Sequence, residues 1–116
     1  MSRHAQSEAQ LHITVIEHLR LRAKPDVLWL HPANGGRRDK ITGAKLKRMG
    51  VLAGAADLLI WHRSISFALE LKAPGRRLSE AQLAFMAAFN DAGGHTAWAD
   101  TIDGALNVLT ALELLR

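Results

Sequence analysis

The sequence predicts an α/β sandwich, a mixed four-stranded central sheet flanked by helices in the order αβ(α)ββαβα. Three observations carry this. Two apolar runs, Asp57 to His62 and Ile65 to Lys72, are separated only by Arg63 and Ser64, the pattern of a β-hairpin. Long segments on either side carry apolar residues at helical spacing. Two further short apolar runs lie between helical segments, and antiparallel strands combined with helices that cover both faces build a sandwich.

The elements follow in chain order. A first helix covers Ala5 to Ala23, where Leu11, Val15 and Leu19 recur at helical spacing, Ile16 widens the stripe and Pro25 ends it. Val27 to His31 is a short buried strand, stopped by Pro32 and by a turn at Asn34, Gly35 and Gly36. A short helix from Thr42 to Met49 ends at Gly50. Gly54, which suits a turn conformation, leads into the hairpin. After Pro74 and Gly75, Ser79 opens a helix with a full N-terminal signature: Ser79 and Gln82 fit a capping box, and Leu78 and Leu83 a hydrophobic staple. Leu83, Met86, Phe89 and the alanines form its packing face, and Gly93 and Gly94 end it. His95 to Ala99 is the fourth strand. Thr101 or Asp103 caps a last helix whose Leu106, Leu109, Leu112 and Leu115 face inward.

The 116 residues are expected to form one domain, 1–116, which buries roughly two thirds of its unfolded surface without staples. The chain has no cysteine, which excludes disulfides, thiolate zinc ligation and cysteine nucleophiles. No apolar run approaches the ~18 residues of a membrane span, and His4, Gln6 and Glu8 stand where a signal peptide would be apolar. A soluble, cytoplasmic protein without membrane contact is expected. The net charge of +4 favours a polyanionic partner such as nucleic acid. Arg37, Arg38, Lys40, Lys45, Lys47 and Arg48 crowd one segment, with Asp39 the only acid among them. Such a cluster is either a solvated loop or a phosphate-binding one. Its place just ahead of the hairpin favours phosphate, and Asn34 in the preceding turn and Arg76 beyond Lys72 join it as candidate nucleic-acid contacts.

The hairpin carries the chemistry. If it is symmetric about Arg63 and Ser64, His62 pairs with Ile65, Ile60 with Phe67, Leu58 with Leu69, and Asp57 with Glu70. Opposed Cβ atoms lie about 5 Å apart, and like charges there are destabilising unless neutralised. A divalent cation would neutralise them. Glu70 and Lys72 share a strand face by alternation. As an exposed ion pair they would need no further explanation, but Ile65 to Leu71 is nearly all apolar and would bury Glu70 at a cost. Mg²⁺ takes one or two carboxylates plus water and phosphate oxygen. Asp57 and Glu70 supply the carboxylates, and the Leu71 carbonyl between Glu70 and Lys72 is a third candidate ligand. Lys72 would orient water or stabilise the transition state of phosphodiester hydrolysis. Glu8, one turn before Leu11, is either a first-turn acid favoured by the helix dipole or a member of the site. His31 and His62 read as surface or hydrogen-bonded residues. No histidine pair has zinc-motif helical spacing, and no nucleotide cofactor is indicated because no glycine-rich phosphate loop ending in Lys-Ser or Lys-Thr is present.

Met49-Gly50-Val51, Gly54-Ala55-Ala56-Asp57-Leu58, Leu69-Glu70-Leu71-Lys72 and Leu78-Ser79-Glu80-Ala81-Gln82 together resemble the VRR-NUC domain, the virus-type replication and repair nuclease of the PD-(D/E)XK superfamily. The resemblance runs from Glu8 to Trp98. It implies a restriction-endonuclease-like fold, Mg²⁺ or Mn²⁺ held by Asp57 and Glu70, Lys72 as the catalytic lysine, and Glu8 near the metal directly or through water. It also implies a site role for Gln82, which competes with the capping box for the same side chain. Ala56 departs from the proline common there. The chain is similar to small standalone members from phages and bacteria, which implies a homodimeric endonuclease acting on branched DNA such as Holliday junctions, in a bacterial or phage-infected cell. A silent DNA-binding module and a flap or end-processing nuclease remain as alternatives.

Overall fold

The structure, a computed structural model, describes residues 7–32 and 40–116, and of Lys40 and Ile41 the backbone alone. The expected helix start at Ala5 and the candidate contacts Asn34, Arg37 and Arg38 therefore lie outside the described residues. The elements are α1 (Glu8–Arg22), β1 (Val27–Leu30), α2 (Lys40–Arg48), β2 (Leu58–His62), β3 (Ile65–Leu71), α3 (Glu80–Asp91), β4 (His95–Ala99) and α4 (Ile102–Ala111). One sheet of order β1-β2-β3-β4 joins the strands, antiparallel except for the parallel β3–β4 pair. This is the mixed α/β architecture the sequence predicts.

The hairpin register is the one computed from symmetry: His62 opposes Ile65, Ile60 opposes Phe67 and Leu58 opposes Leu69. Arg63 and Ser64 take φ values of 52° and 70°, the left-handed pair that a two-residue hairpin turn demands. Neither is glycine, and Asp26 clamps the turn from outside. Its carboxylate accepts from Arg63 Nε at 3.1 Å and meets His62 Nε2 at 3.0 Å. The Arg63 hydrogen bond holds the Asp26 carboxyl below its ordinary range.

Strand ends differ from expectation by one residue. Asp57, Lys72 and His31 fall just outside their strands. Asp57 leaves the ladder because its N–H donates to the Glu70 side chain instead of a strand carbonyl.

One face of the sheet packs Leu58, Ile60, Phe67, Leu69 and Leu71 against Leu11, Val15 and Leu19 of α1 and Ala105 and Leu109 of α4. The other face carries Ala68 and Glu70, with α3 drawn onto it by Gln82. Cover there is partial, since Leu28 and Trp98 stay 62% and 48% exposed. Thr101, not Asp103, caps α4 by accepting from the Gly104 N–H.

The same five residues, Ser-Glu-Ala-Gln-Leu, open both α1 (from Ser7) and α3 (from Ser79), and both form the capping box. Their leucines diverge. Leu11 is buried, whereas Leu83 is 54% exposed, contrary to its expected place on the packing face of α3. The face of α3 turned inward is set by Gln82, Phe85, Met86 and Phe89, spaced i, i+3, i+4, i+7, and Leu83 lies off that stripe.

Leu58 is fully buried at the centre of this core. Leu58→Ala is expected to cost about 2–5 kcal/mol in urea unfolding. Leu28→Ala, on the exposed face, is expected to stay within ~0.5 kcal/mol of the parent.

Candidate active site

The site forms where β3 ends and three other segments converge on it. Gly54 initiates the approach with φ of 78°, and a Cβ at this position would collide with the Ala81 carbonyl. Glycine is thus required for close contact with the start of α3 as well as for the turn. Ala56 is buried behind Asp57.

Asp57 is tied to the end of β3 by two hydrogen bonds, one to Glu70 and one from Leu71. The Asp57 N–H donates to Glu70 Oε1 at 3.1 Å, and the Leu71 N–H donates to Asp57 Oδ2 at 2.9 Å. The Lys72 N–H donates to Ala99 on the β4 side, so the groups of Leu71, one residue away, face the opposite edge. The Leu71 carbonyl shares that edge with the Asp57 carboxylate.

Gln82 closes the helix cap and also reaches Glu70 and Lys72, two sets of contacts that the sequence set in competition. Its Oε1 accepts from the Ser79 N–H at 2.7 Å, closing the capping box, and from Lys72 Nζ at 3.4 Å. Its Nε2 donates to Glu70 Oε2 at 2.5 Å. An amide has separate donor and acceptor ends, so a helix cap and a carboxylate can share it. Glu8 arrives from α1, where its Oε1 accepts from the Ala73 N–H at 3.1 Å, just past Lys72.

Two histidines that the sequence did not single out for the site also converge here. His12 Nδ1 stands 3.8 Å from Asp57 Oδ1, and His31 Nδ1 lies 2.6 Å from the Asp57 carbonyl oxygen. Their rings touch edge to face with centroids 4.4 Å apart. His12 follows Glu8 by four residues and so shares its side of α1, a signal available in the sequence. Nothing local announces the placement of His31.

Burial dominates the electrostatics. It pushes the Glu70 carboxyl up to about 7, and the Asp57 charge adds to the shift, while the Asp57 N–H and the Lys72 ammonium oppose it. Asp57 is also raised by burial, against the Leu71 N–H. His12 is lowered by burial despite the pull of Asp57. Two acids displaced toward their neutral forms mark a cluster of negative charge that a cation would relieve. Its oxygen donors fit a hard divalent ion.

Of the basic candidates, Lys45, Lys47 and Arg48 are exposed on the last turn of α2, and Arg76 is exposed in the loop after β3. Lys40 begins α2.

A mixed sheet with acid, acid and lysine gathered at the end of a hairpin defines a PD-(D/E)XK-type nuclease fold. The VRR-NUC domain matches residues 6–101, and the chain belongs to that family. It is a nuclease of the PD-(D/E)XK type. A solved structure described as a VRR_NUC domain protein superposes with a TM-score of 0.73 at 22% identity, covering 92% of this chain and 88% of its own. The chain matches no curated protein. Among the described residues, no helix is long and apolar enough to cross a membrane.

The raised Glu70 carboxyl makes a pH prediction. The folded state holds this proton up to about pH 7, whereas the unfolded chain releases it near 4.5, so the folded protein binds more protons between those values. In EDTA, the contribution of Glu70 to stability is expected to be complete below pH 4.5 and lost as the pH rises through 7. Urea midpoints across that window measure the slope, and Glu70→Gln is expected to flatten it.

Proposed function

We propose that this chain is a divalent-metal-dependent endodeoxyribonuclease, one domain spanning 1–116, that hydrolyses phosphodiester bonds in branched DNA as a homodimer. The observation that carries the reading is the connected network Asp57, Glu70, Gln82 and Lys72 around the end of β3. Asp57, Glu70 and the Leu71 carbonyl would hold Mg²⁺ or Mn²⁺, with Glu8, bonded to the Ala73 N–H just past Lys72, contributing directly or through water. The ion would acidify a bound water and offset charge on the phosphoryl group.

The chain's own residues do the rest. Gln82 donates to the Glu70 carboxylate and accepts from the Lys72 ammonium, so one amide orients both charged groups. Lys72 then orients the attacking water or stabilises charge as the P–O bond breaks. The Leu71 N–H keeps the Asp57 carboxylate turned toward β3. Lys45, Lys47, Arg48 and Arg76, with Asn34, Arg37, Arg38 and Lys40, supply the positive charge that binds DNA phosphates. Branched substrate and homodimer rest on the resemblance to small VRR-NUC proteins, and a two-fold dimer would present one site to each of two strands.

A panel of labelled four-way junction, flap, nicked and linear DNA, with Mg²⁺ or EDTA, tests the reading. Junction cleavage is expected with Mg²⁺ alone, and Asp57→Ala or Lys72→Ala is expected to lower it by at least about 10²-fold with DNA binding retained. Cleavage by the variants at the parent rate would remove these residues from the mechanism. Metal-independent binding without cutting would instead indicate a recruitment module, and preference for flaps an end-processing enzyme.

Reversing the charge of Arg37 and Arg38 is expected to weaken DNA affinity and reduce the slope of log K against log[salt] by about 1–2. Fluorescence anisotropy over a salt series measures it.

A further inference from the structure

On the α1 side of Asp57 lies a second cluster of a different chemical kind. One ring nitrogen from each of His12 and His31 and a carboxylate oxygen of Asp57 all lie within 4.8 Å of one another. Two ligands of one first-row ion, each about 2.1 Å from it, stand roughly 3 to 4 Å apart. The 3.8 Å between His12 Nδ1 and Asp57 Oδ1 falls in that span.

The surroundings orient these rings as ligands are oriented. The Asp57 carbonyl accepts from His31 Nδ1–H, so the lone pair of the neutral ring lies on Nε2. A carbonyl holding one imidazole nitrogen while the other is left for an ion is the usual support of a metal-binding histidine. His12 is set by its edge contact with the His31 ring. The side chains of His12 and Asp57 remain 20% and 22% exposed, and His31 is exposed, so an ion can enter from solvent.

We propose that His12, His31 and Asp57 bind a borderline divalent cation of the Mn²⁺, Co²⁺ or Zn²⁺ class, next to the oxygen-only site at Glu70. Imidazole donors favour these ions over Mg²⁺ and Ca²⁺. Asp57 belongs to both sites: Oδ1 faces His12, and Oδ2 accepts from Leu71 beside Glu70. The chain thus offers two unlike positions joined by one carboxylate, of which only the histidine position discriminates against Mg²⁺. Any part this ion plays in DNA cleavage rests on the nuclease reading above, whereas its binding does not.

Co²⁺ titration of the untagged protein, followed by visible absorption and calorimetry, tests this. The parent is expected to develop imidazole-type Co²⁺ bands that persist in excess Mg²⁺ and in Glu70→Gln. His12→Gln and His31→Gln are each expected to weaken that binding by at least about tenfold, and His18→Gln to leave it unchanged. Long-range ¹H–¹⁵N spectra of the parent need no variant: Zn²⁺ is expected to shift the ring nitrogens of His12 and His31 and not those of His18, His62 or His95. Bands that Mg²⁺ removes, equal Co²⁺ binding by both histidine variants, or unmoved His12 and His31 signals would overturn the site. Retained Co²⁺ binding in a protein that neither binds Mg²⁺ nor cuts DNA supports it and counts against the nuclease reading alone.

Discussion

Glu70 is a carboxyl group only 3% exposed inside a strand that is nearly all apolar, and this end of the molecule is arranged around it. A buried carboxylate is costly unless donors reach it. Two do, from opposite directions: the backbone of Asp57 ahead of β2 and the amide of Gln82 on α3. Each donor brings its own segment, so the demand of one side chain fixes a loop and a helix against the sheet. The Asp57 carboxylate is turned in the same way onto the Leu71 N–H. What the donors leave uncompensated is net negative charge, and this residual strain is what makes the place suited to a cation.

Helix α1 serves two layers at once. Leu11, Val15 and Leu19 build the core, while Glu8 and His12 at its start meet Ala73 beyond the end of β3 and Asp57 ahead of β2. The core therefore positions two polar side chains with no loop in between. Placement on a packed helix is stiffer than placement on a surface loop, a property that suits groups required to hold a fixed distance.

Much of this was legible in the chain. The register from Leu58 to His62 followed from where Arg63 and Ser64 sit, because a symmetric two-residue turn leaves only one pairing, whereas the expected pair of Asp57 with Glu70 lies beyond the ladder and is replaced by a bond from the Asp57 N–H to the Glu70 side chain. The mixed sheet followed from the order of apolar runs. What escaped reading depends on tertiary contact. The two copies of Ser-Glu-Ala-Gln-Leu show it most plainly: the first sends its glutamate to the site and buries its leucine, whereas the second sends its glutamine and exposes its leucine. Both obey the same capping rule, and only the surfaces they meet differ. His31 likewise looked like an ordinary strand-end residue until the fold set it against the Asp57 carbonyl.

The Arg63–Ser64 turn lies at the far tip of the hairpin from the acids, yet it acts as their ruler. Side chains alternate with a period of two, so a slip of one position between β2 and β3 would send Glu70 through the sheet toward Leu11 and Leu109. Adding or removing one residue at that distant, solvent-facing tip would thus threaten the chemistry as surely as altering an acid, and the Asp26 brace helps guard the count.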